Sequence, residues 1–325
     1  MSALSAVTFR TFRGAADYAP FAEIGRRCNV VDGVEYVQTT ADIANEYSHL
    51  TNTDMERDII VAEVEGAPVA YQRTTWKVDD DGTHLYWLYG CVDPDWQGRG
   101  LGRALLSRGE ARLREVAAGH PADAPKFFTV YAPRRRVRKI ALFEKEGYSA
   151  VRHSFDMERS LAGSLPEATL PAGLALRPVR PEDLRAIWDA NEEAFRDHWG
   201  FTPQSEAAFE GWRSDPRFDH RLWQVAWDTA SGQVAGVAIN VINPALNAEF
   251  GRELGTVEEL SVRRPWRGRG LGRALLAHSL GALQARGMTV AAIGVDSENA
   301  TGALQLYTGV GFETVTGSVI LRKAL

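Results

Sequence analysis

Several features are scarce in this 325-residue chain, and each scarcity narrows what it can be. Only two cysteines occur, Cys28 and Cys91, too few for a disulfide framework and suited to a reducing cytoplasm. No apolar run reaches the roughly 18 residues that would read as a membrane-spanning helix, so no membrane association is expected. The opening "MSALSAVTFR" has no basic cluster followed by an apolar core, which predicts no secretion signal and a cytoplasmic protein. Metal-ligand spacing of histidine, cysteine and carboxylate is missing, and no metal is expected. The net charge of −5 argues against general nucleic-acid binding.

What is present is a repeat. Residues 97–106 read "QGRGLGRALL" and residues 267–276 read "RGRGLGRALL", differing only in the first letter. Around each copy the same order recurs: a helical stretch, a strand pair, a strand into the glycine turn, a long helix, another strand and a final helix. The first half ends on "ALFEKEGY" and the second on "ALQLYTGVGF". Between them, "LAGSLPEATLPAG" (161–173) is rich in small residues and proline and reads as a linker. A repeat this long means duplicated domains, since solenoid repeats are far shorter. The expected division is 1–160, a linker at 161–173, and 174–325.

In the second half, 232–242 and 255–264 are rich in β-branched residues and predict strands. Leucines at 271, 275, 276, 280 and 283 recur at helical spacing and stop at Gly287. A short apolar strand follows at 290–295, then a helix with a glycine exit. The first half has "HLYWLYGCV" (84–92) before its turn and "FFTVYA" (127–132) as the later strand. This order predicts an α/β (α+β) fold with a mixed sheet covered by helices in each half.

A strand that ends in Arg-Gly-Arg-Gly-Leu-Gly and enters a helix leaves several backbone N–H groups around one hollow. Glycine permits the dihedrals and the close approach of a ligand. The helix N-terminus adds partial positive charge, worth about 0.3–2 kcal/mol to an anion. Together these suit a pyrophosphate. Arg263, Arg264, Arg267, Arg269 and Arg273 supply more positive charge, and the Gly-Lys-Ser/Thr ending of a nucleoside-triphosphate loop is missing.

With "LSVRRPWRGRGLG" and "VDSENATGALQLYTGVGF" around it, the turn resembles that of the GNAT superfamily of acyl-CoA N-acyltransferases, whose pattern is Gln/Arg-x-x-Gly-x-Gly/Ala. Arg267, Gly270 and Gly272 match it in the second half; Gln97, Gly100 and Gly102 match it in the first. The resemblance covers nearly the whole chain as two tandem copies, a layout similar to the mycothiol-synthase family of two-domain acetyltransferases. It implies two mostly antiparallel twisted sheets, each splayed between its fourth and fifth strands, with helices on both faces. It also implies acetyl-CoA as co-substrate. Its diphosphate would lie on Arg267, Gly268, Arg269, Gly270, Leu271, Gly272 and Arg273, and its pantetheine arm along Leu260, Ser261 and Val262, with Asn299 touching the arm. The equivalent set in the first half is Val92, Gln97, Gly98, Arg99, Gly100, Leu101, Gly102 and Arg103.

Acetyl transfer to an amine needs a base for the ammonium and a proton for the departing thiolate. The family pattern implies Glu258 as general base and Tyr307 as general acid, with Glu259, on the opposite side of the strand, binding a cationic acceptor. Asn299 has a helix-capping alternative. "NEEAFRDHWGF" (191–201) lies in the region that shapes the acceptor pocket in such enzymes, making Asp197, His198 and Trp199 candidate acceptor contacts. Most of Trp212, Trp223 and Trp227 should be core, and 243–255 is a possible flap.

The first half keeps the turn and loses the chemistry. Leu88 and Tyr89 stand opposite Glu258 and Glu259, Phe143 opposite Tyr307, and Arg135 opposite Asn299. The N-terminal domain is therefore expected to be catalytically degenerate. The basic run "RRRVRK" (134–139) reads as a solvated helix face. The expected activity is acetyl-CoA-dependent N-acetylation of a small-molecule amine by a monomer or homodimer that binds no nucleic acid. The alternatives are an acyl-CoA sensor without turnover and a protein lysine or N-terminal acetyltransferase.

Overall fold

The computed structural model describes residues 7–167, 169–299 and 302–325. The chain packs into two compact units. Unit 1 runs to His153 and includes Ser205–Pro216 and Ser318–Leu325, whereas unit 2 comprises Ser154–Gln204 and Arg217–Gly317.

Unit 1 begins with an antiparallel meander of β1 (Val7–Thr11), β2 (Ile59–Val64), β3 (Ala67–Val78) and β4 (His84–Val92). Helices α1 (Tyr18–Asp32) and α2 (Thr40–Ser48) lie between β1 and β2. Phe21 and Ile43 from these helices pack on Ile59 and Val61. Leu101 and Leu105 of α3 (Leu101–Ala117) pack on Ala62 and Ala70. Val61 and Ala62 are consecutive in β2, and strand side chains alternate in direction. The α1/α2 pair and α3 therefore cover opposite faces.

Strand β5 (Lys126–Pro133) runs parallel to β4, paired from His84↔Lys126 to Trp87↔Thr129. Beyond that point the two strands separate, although β4 continues to Val92. Helix α4 (Val137–Lys145) follows. The other side of β5 is covered by chain from the far end of the sequence: in β12 (Glu313–Ala324), residues 318–324 pair antiparallel with it from Ser318↔Pro133 to Ala324↔Phe127.

Unit 2 repeats the plan with β7 (Leu174–Leu176), β8 (Gln224–Asp228), β9 (Val234–Ile242) and β10 (Leu254–Val262) antiparallel in sequence order. β11 (Val290–Asp296) runs parallel to β10, paired only from Leu254↔Val290 to Val257↔Ile293. Its far side takes residues 154–160 of β6 (Ser149–Ser160), antiparallel from Val290↔Ser160 to Asp296↔Ser154. Each unit's sheet therefore uses a strand from the opposite half of the sequence. Sequence periodicity carries no information about this exchange, because either strand has a suitable pattern for either sheet.

The leucine spacing after the second turn forms α8 (Leu271–Ala285), with Leu271, Leu275, Leu276, Leu280 and Leu283 buried in the core of unit 2. α5 (Leu184–Phe195) packs against β9 and β10. The proline-rich stretch after residue 160 is not free of the core: Leu161 is buried in unit 2, with Leu165 and Leu170 packed beside it. Residues 244–250 of the expected flap form α7 (Pro244–Phe250). α6 (Glu206–Arg213), which carries Trp212, belongs to unit 1 and packs on α2. α9 (Ala303–Gly309) is the final helix, and Ala300 and Thr301 of the sequence expected before it lie outside the described residues.

Candidate active site

The site in unit 2 is built around the end of β10. Past Val257 the strand has lost its partner β11 on one side while still pairing with β9 on the other. The backbone of Leu260, Ser261 and Val262 consequently borders a cleft between parted strands, the place where an extended amide-bearing arm could pair as an added strand. A short turn at Arg264–Trp266 follows, and then the glycine turn. Gly268 and Gly270 have φ of +71° and +83°, and a side chain built at either would meet nothing within 4 Å. The hollow in front of the N-terminus of α8 is thus open, and its conformation requires glycine.

The arginines around this hollow divide into two groups. Arg267 is a brace: its Nε donates to the Val262 carbonyl (2.8 Å), Nη2 to the Ala194 carbonyl (3.0 Å), and Nη1 to Asp197 (2.6 Å). Arg264 also pairs with Asp197, and these two guanidinium groups hold that carboxyl well below the usual carboxylate range. Among the described residues, Arg269 and Arg273 have no hydrogen-bond or ion-pair partner and are exposed beside the turn. They are the cations available to phosphate. Gln97 plays the bracing part in unit 1, its Nε2 donating to the Val92 carbonyl at 3.1 Å. There Gly98 and Gly100 have the same positive φ, but Arg103 is engaged by Glu146 (2.6 Å) and Arg99 lies over the Trp96 ring.

The two glutamates of β10 have opposite environments. The register of β10 against β9 shifts between Val257 and Glu259, so Glu258 occupies a bulge. Its side chain is 43% exposed and pairs with Arg217 at 3.3 Å. Glu259 is partly buried and accepts a hydrogen bond from Asn191 Nδ2 on α5. Asn191 is itself buried, and its Oδ1 accepts from Ser261 Oγ at 2.7 Å. Burial pushes the Glu259 carboxyl up to about 7; the Asn191 hydrogen bond opposes this, while the charges of Glu258 and Glu192 reinforce it. A carboxyl that titrates near neutrality can accept a proton from an ammonium and release it again.

Tyr307 lies on α9, buried and tilted against Phe312 at 6.2 Å between ring centres. Burial pushes its phenol up to about 12, and its hydroxyl has no protein hydrogen-bond partner among the described residues. Asn299 follows Asp296 in a turn, its N–H donating to the Asp296 carbonyl. Gly302, rather than Asn299, stands at the N-cap of α9. His198 packs edge-on against Phe195, with its pKa lowered first by burial and then by Arg267. Trp199 is exposed, whereas Trp223 and Trp227 are core. In unit 1, Leu88 and Phe143 are buried apolar residues with no acid–base capacity.

Sequence reading missed Asn191 and Arg217. Asn191 opens "NEEAF", a segment that drew attention for its acceptor-side position, but nothing local marks an asparagine that will reach β10 in space. Two sequence features would have narrowed the search, namely the apolar spacing that faces α5 to the sheet and the serine two residues after Glu259.

Comparison with known proteins agrees with this architecture. A family model described as "Acetyltransferase (GNAT) family" matches residues 184–312, and another described as "Acetyltransferase (GNAT) domain" matches residues 56–150. A mycothiol acetyltransferase of Geodermatophilus obscurus is 28% identical, the match covering 92% of this chain and 92% of that one. One from Thermobifida fusca is 33% identical over 68% of this chain and 69% of its own. A solved GCN5-related N-acetyltransferase from Sphaerobacter thermophilus superposes with a TM-score of 0.72 at 28% identity, covering 98% of this chain and 96% of that chain. A tandem GNAT protein from the clavulanic acid biosynthesis pathway shares the fold, with a TM-score of 0.69 at 16% identity over 98% of each chain.

Proposed function

Because the chain belongs to the GNAT acetyltransferase family, we propose that its second unit transfers an acetyl group from acetyl-CoA to the amine of a small-molecule acceptor. Acetyl-CoA supplies the activated acyl group. Arg269, Arg273 and the N–H groups around Gly268 and Gly270 would hold its diphosphate. The unpaired edge at Leu260–Val262 would take the pantetheine arm. The curated relatives are named mycothiol acetyltransferases, which supports a small-molecule acceptor, and the carboxylates of Glu192, Glu258 and Glu259 favour a cationic group at this end of the cleft.

The observation that carries the reading is the position of Glu259 on the strand that leads into the glycine turn, partly buried and held by Asn191, where burial pushes its carboxyl up. The family pattern pointed to Glu258 as base; exposure and the ion pair to Arg217 favour giving that role to Glu259 instead. Glu259 accepts the ammonium proton, Asn191 fixes the carboxylate, and Glu258 with Arg217 sits at the acceptor side. Tyr307, whose hydroxyl has no hydrogen-bond partner among the described residues, donates a proton to the leaving thiolate.

The test is thiol release from acetyl-CoA against a panel of amines that includes aminosugars, amino acids and polyamines. Glu259→Gln should lower kcat/KM by about 10²–10⁴, and Tyr307→Phe should lower kcat within the same range. Glu258→Gln should leave turnover within about tenfold. A large loss with Glu258→Gln and none with Glu259→Gln would return the base role to Glu258. Absence of thiol release with every amine would favour a binding protein without turnover.

A further inference from the structure

The two cysteines are distant in sequence yet meet inside unit 1. Cys28, on α1, is buried, and its thiol donates to the Val92 carbonyl at 3.1 Å. Val92 directly follows Cys91 on β4, so this bond brings Cys28 beside the second cysteine, and the two thiols interact electrostatically. Cys91 is partly exposed and accepts a hydrogen bond from Arg136 Nη1 at 3.4 Å. Arg136 is oriented by Asn29 Oδ1 and by Asp32, 3.6 Å from its Nε. Lys139 brings a second cation to the same strand, with its Nζ 3.1 Å from the Gly90 carbonyl. Two of the five basic residues in the run 134–139 thus turn inward, toward the strand that carries a thiol.

A thiol next to fixed cations is the microenvironment of a reactive cysteine, and a second thiol in contact can resolve what forms on the first. The interaction with Cys28 and the charges of Arg136 and Lys139, against the cost of burial, hold Cys91 well below the ordinary thiol range. Contact with the Cys91 charge and burial push Cys28 up. Asp32 and Tyr71 also face this group. Attacker and resolver are therefore distinguished by exposure as well as by charge.

We propose that Cys91 and Cys28 form a dithiol–disulfide pair that exchanges with low-molecular-weight disulfides, a second chemistry separate from the transferase site of unit 2. The Cys91 thiolate attacks one sulfur of the small disulfide, whose S–S bond breaks, releasing one thiolate and leaving a mixed disulfide on Cys91. Cys28 then loses its proton to solvent and attacks the Cys91 sulfur, displacing the second small thiolate. Two electrons pass from the cysteine pair to the reagent, which ends as two thiols.

The test treats the native full-length chain with 2-hydroxyethyl disulfide and follows it by intact mass and free-thiol titration. The parent should lose both thiols and carry no reagent. Cys28→Ser should stop at the mixed disulfide on Cys91, and Cys91→Ser should remain unmodified. Arg136→Gln should slow the first step about tenfold at pH 7, because an unassisted thiol is only a few per cent ionised there. Its rate should climb with pH through the ordinary thiol range near 8.5, whereas the parent rate stays flat from pH 7 to 9. The proposal is overturned if the native parent keeps both thiols under conditions that convert the urea-unfolded chain. It is equally overturned if the parent halts at the mixed disulfide, or if Arg136→Gln leaves rate and pH profile unchanged.

Discussion

The Asp197 carboxylate lies 2.6 Å from Arg267 Nη1 and also pairs with Arg264, so one acidic group is shared by two arginines beside the glycine turn and offsets part of their charge. Arg267 keeps its bonds to the Val262 and Ala194 carbonyls whether or not Asp197 is charged. Asp197→Asn should therefore leave the turn in place and raise the positive potential before it. Acetyl-CoA is expected to bind about two- to fivefold tighter at low ionic strength, a gain lost in about 0.5 M salt as screening shortens the field. Calorimetry at two salt concentrations checks this; weaker binding in both would mean that Asp197 acts as a brace.

Glu259 sets activity against stability. Its carboxyl is raised to about 7 in the folded chain from an ordinary value near 4.5, so between those values the folded state binds more protons than the unfolded one. Stability then falls as pH rises through that window. The cost, up to about 3 kcal/mol, is fully present above pH 7 and absent near pH 4. Glu259→Gln retains an acceptor for Asn191 without the buried charge. It should unfold at higher denaturant than the parent at pH 8, with the difference vanishing near pH 4, while its transfer rate collapses. In the parent, kcat/KM should rise with pH up to about 7 and level off above it.

The two glycine turns should not bind coenzyme alike. In unit 1 the Lys139 ammonium occupies the Gly90 carbonyl, on the strand edge freed where β4 and β5 part, and Arg103 is held by Glu146. In unit 2, among the described residues, Arg273 has no hydrogen-bond or ion-pair partner, and the side chain that reaches the strand edge is Arg267, at the Val262 carbonyl. Calorimetry with acetyl-CoA is expected to give one equivalent per chain. Arg273→Ala should weaken that binding about tenfold, and Arg103→Ala should leave it unchanged. Two equivalents of similar affinity would contradict this.

A chain ending at Gly317 should lose unit 1 rather than unit 2. Residues 318–324 supply the antiparallel partner of β5, the buried Val319 and Leu321, and the Lys323 ion pair to Glu110 at 2.8 Å. Deleting one buried aliphatic side chain costs about 2–5 kcal/mol, against a total stability of roughly 5–15 kcal/mol. Limited proteolysis of the truncated chain should cut within residues 7–153 while fragments from 217–317 persist. Equal resistance of both regions would contradict this account.

Local patterns made much of this legible. The repeated glycine turns, the leucine spacing of α8 and the β-branched strands all act through neighbours close in sequence, where periodicity is informative. The pair Glu258–Glu259 shows where such reasoning stops. Alternation separates the two side chains, but it cannot say which one will find Asn191 and burial, and a bulge at that point disturbs the alternation itself. The run 134–139 looked like a solvated face because charge usually is; Arg136 and Lys139 turn inward because Cys91, Asn29 and an unpaired strand carbonyl give them partners. Strand exchange was illegible for a similar reason, since partner choice depends on distant chain.

The same exchange orders events during synthesis. When residues 7–153 have left the ribosome, the first sheet still lacks the strand that lies against β5, residues 318–324, which follow only after residues 154–317. The first unit must wait, partly open along that edge, until this strand has emerged, and in that period chaperone capture or misassembly would act most strongly.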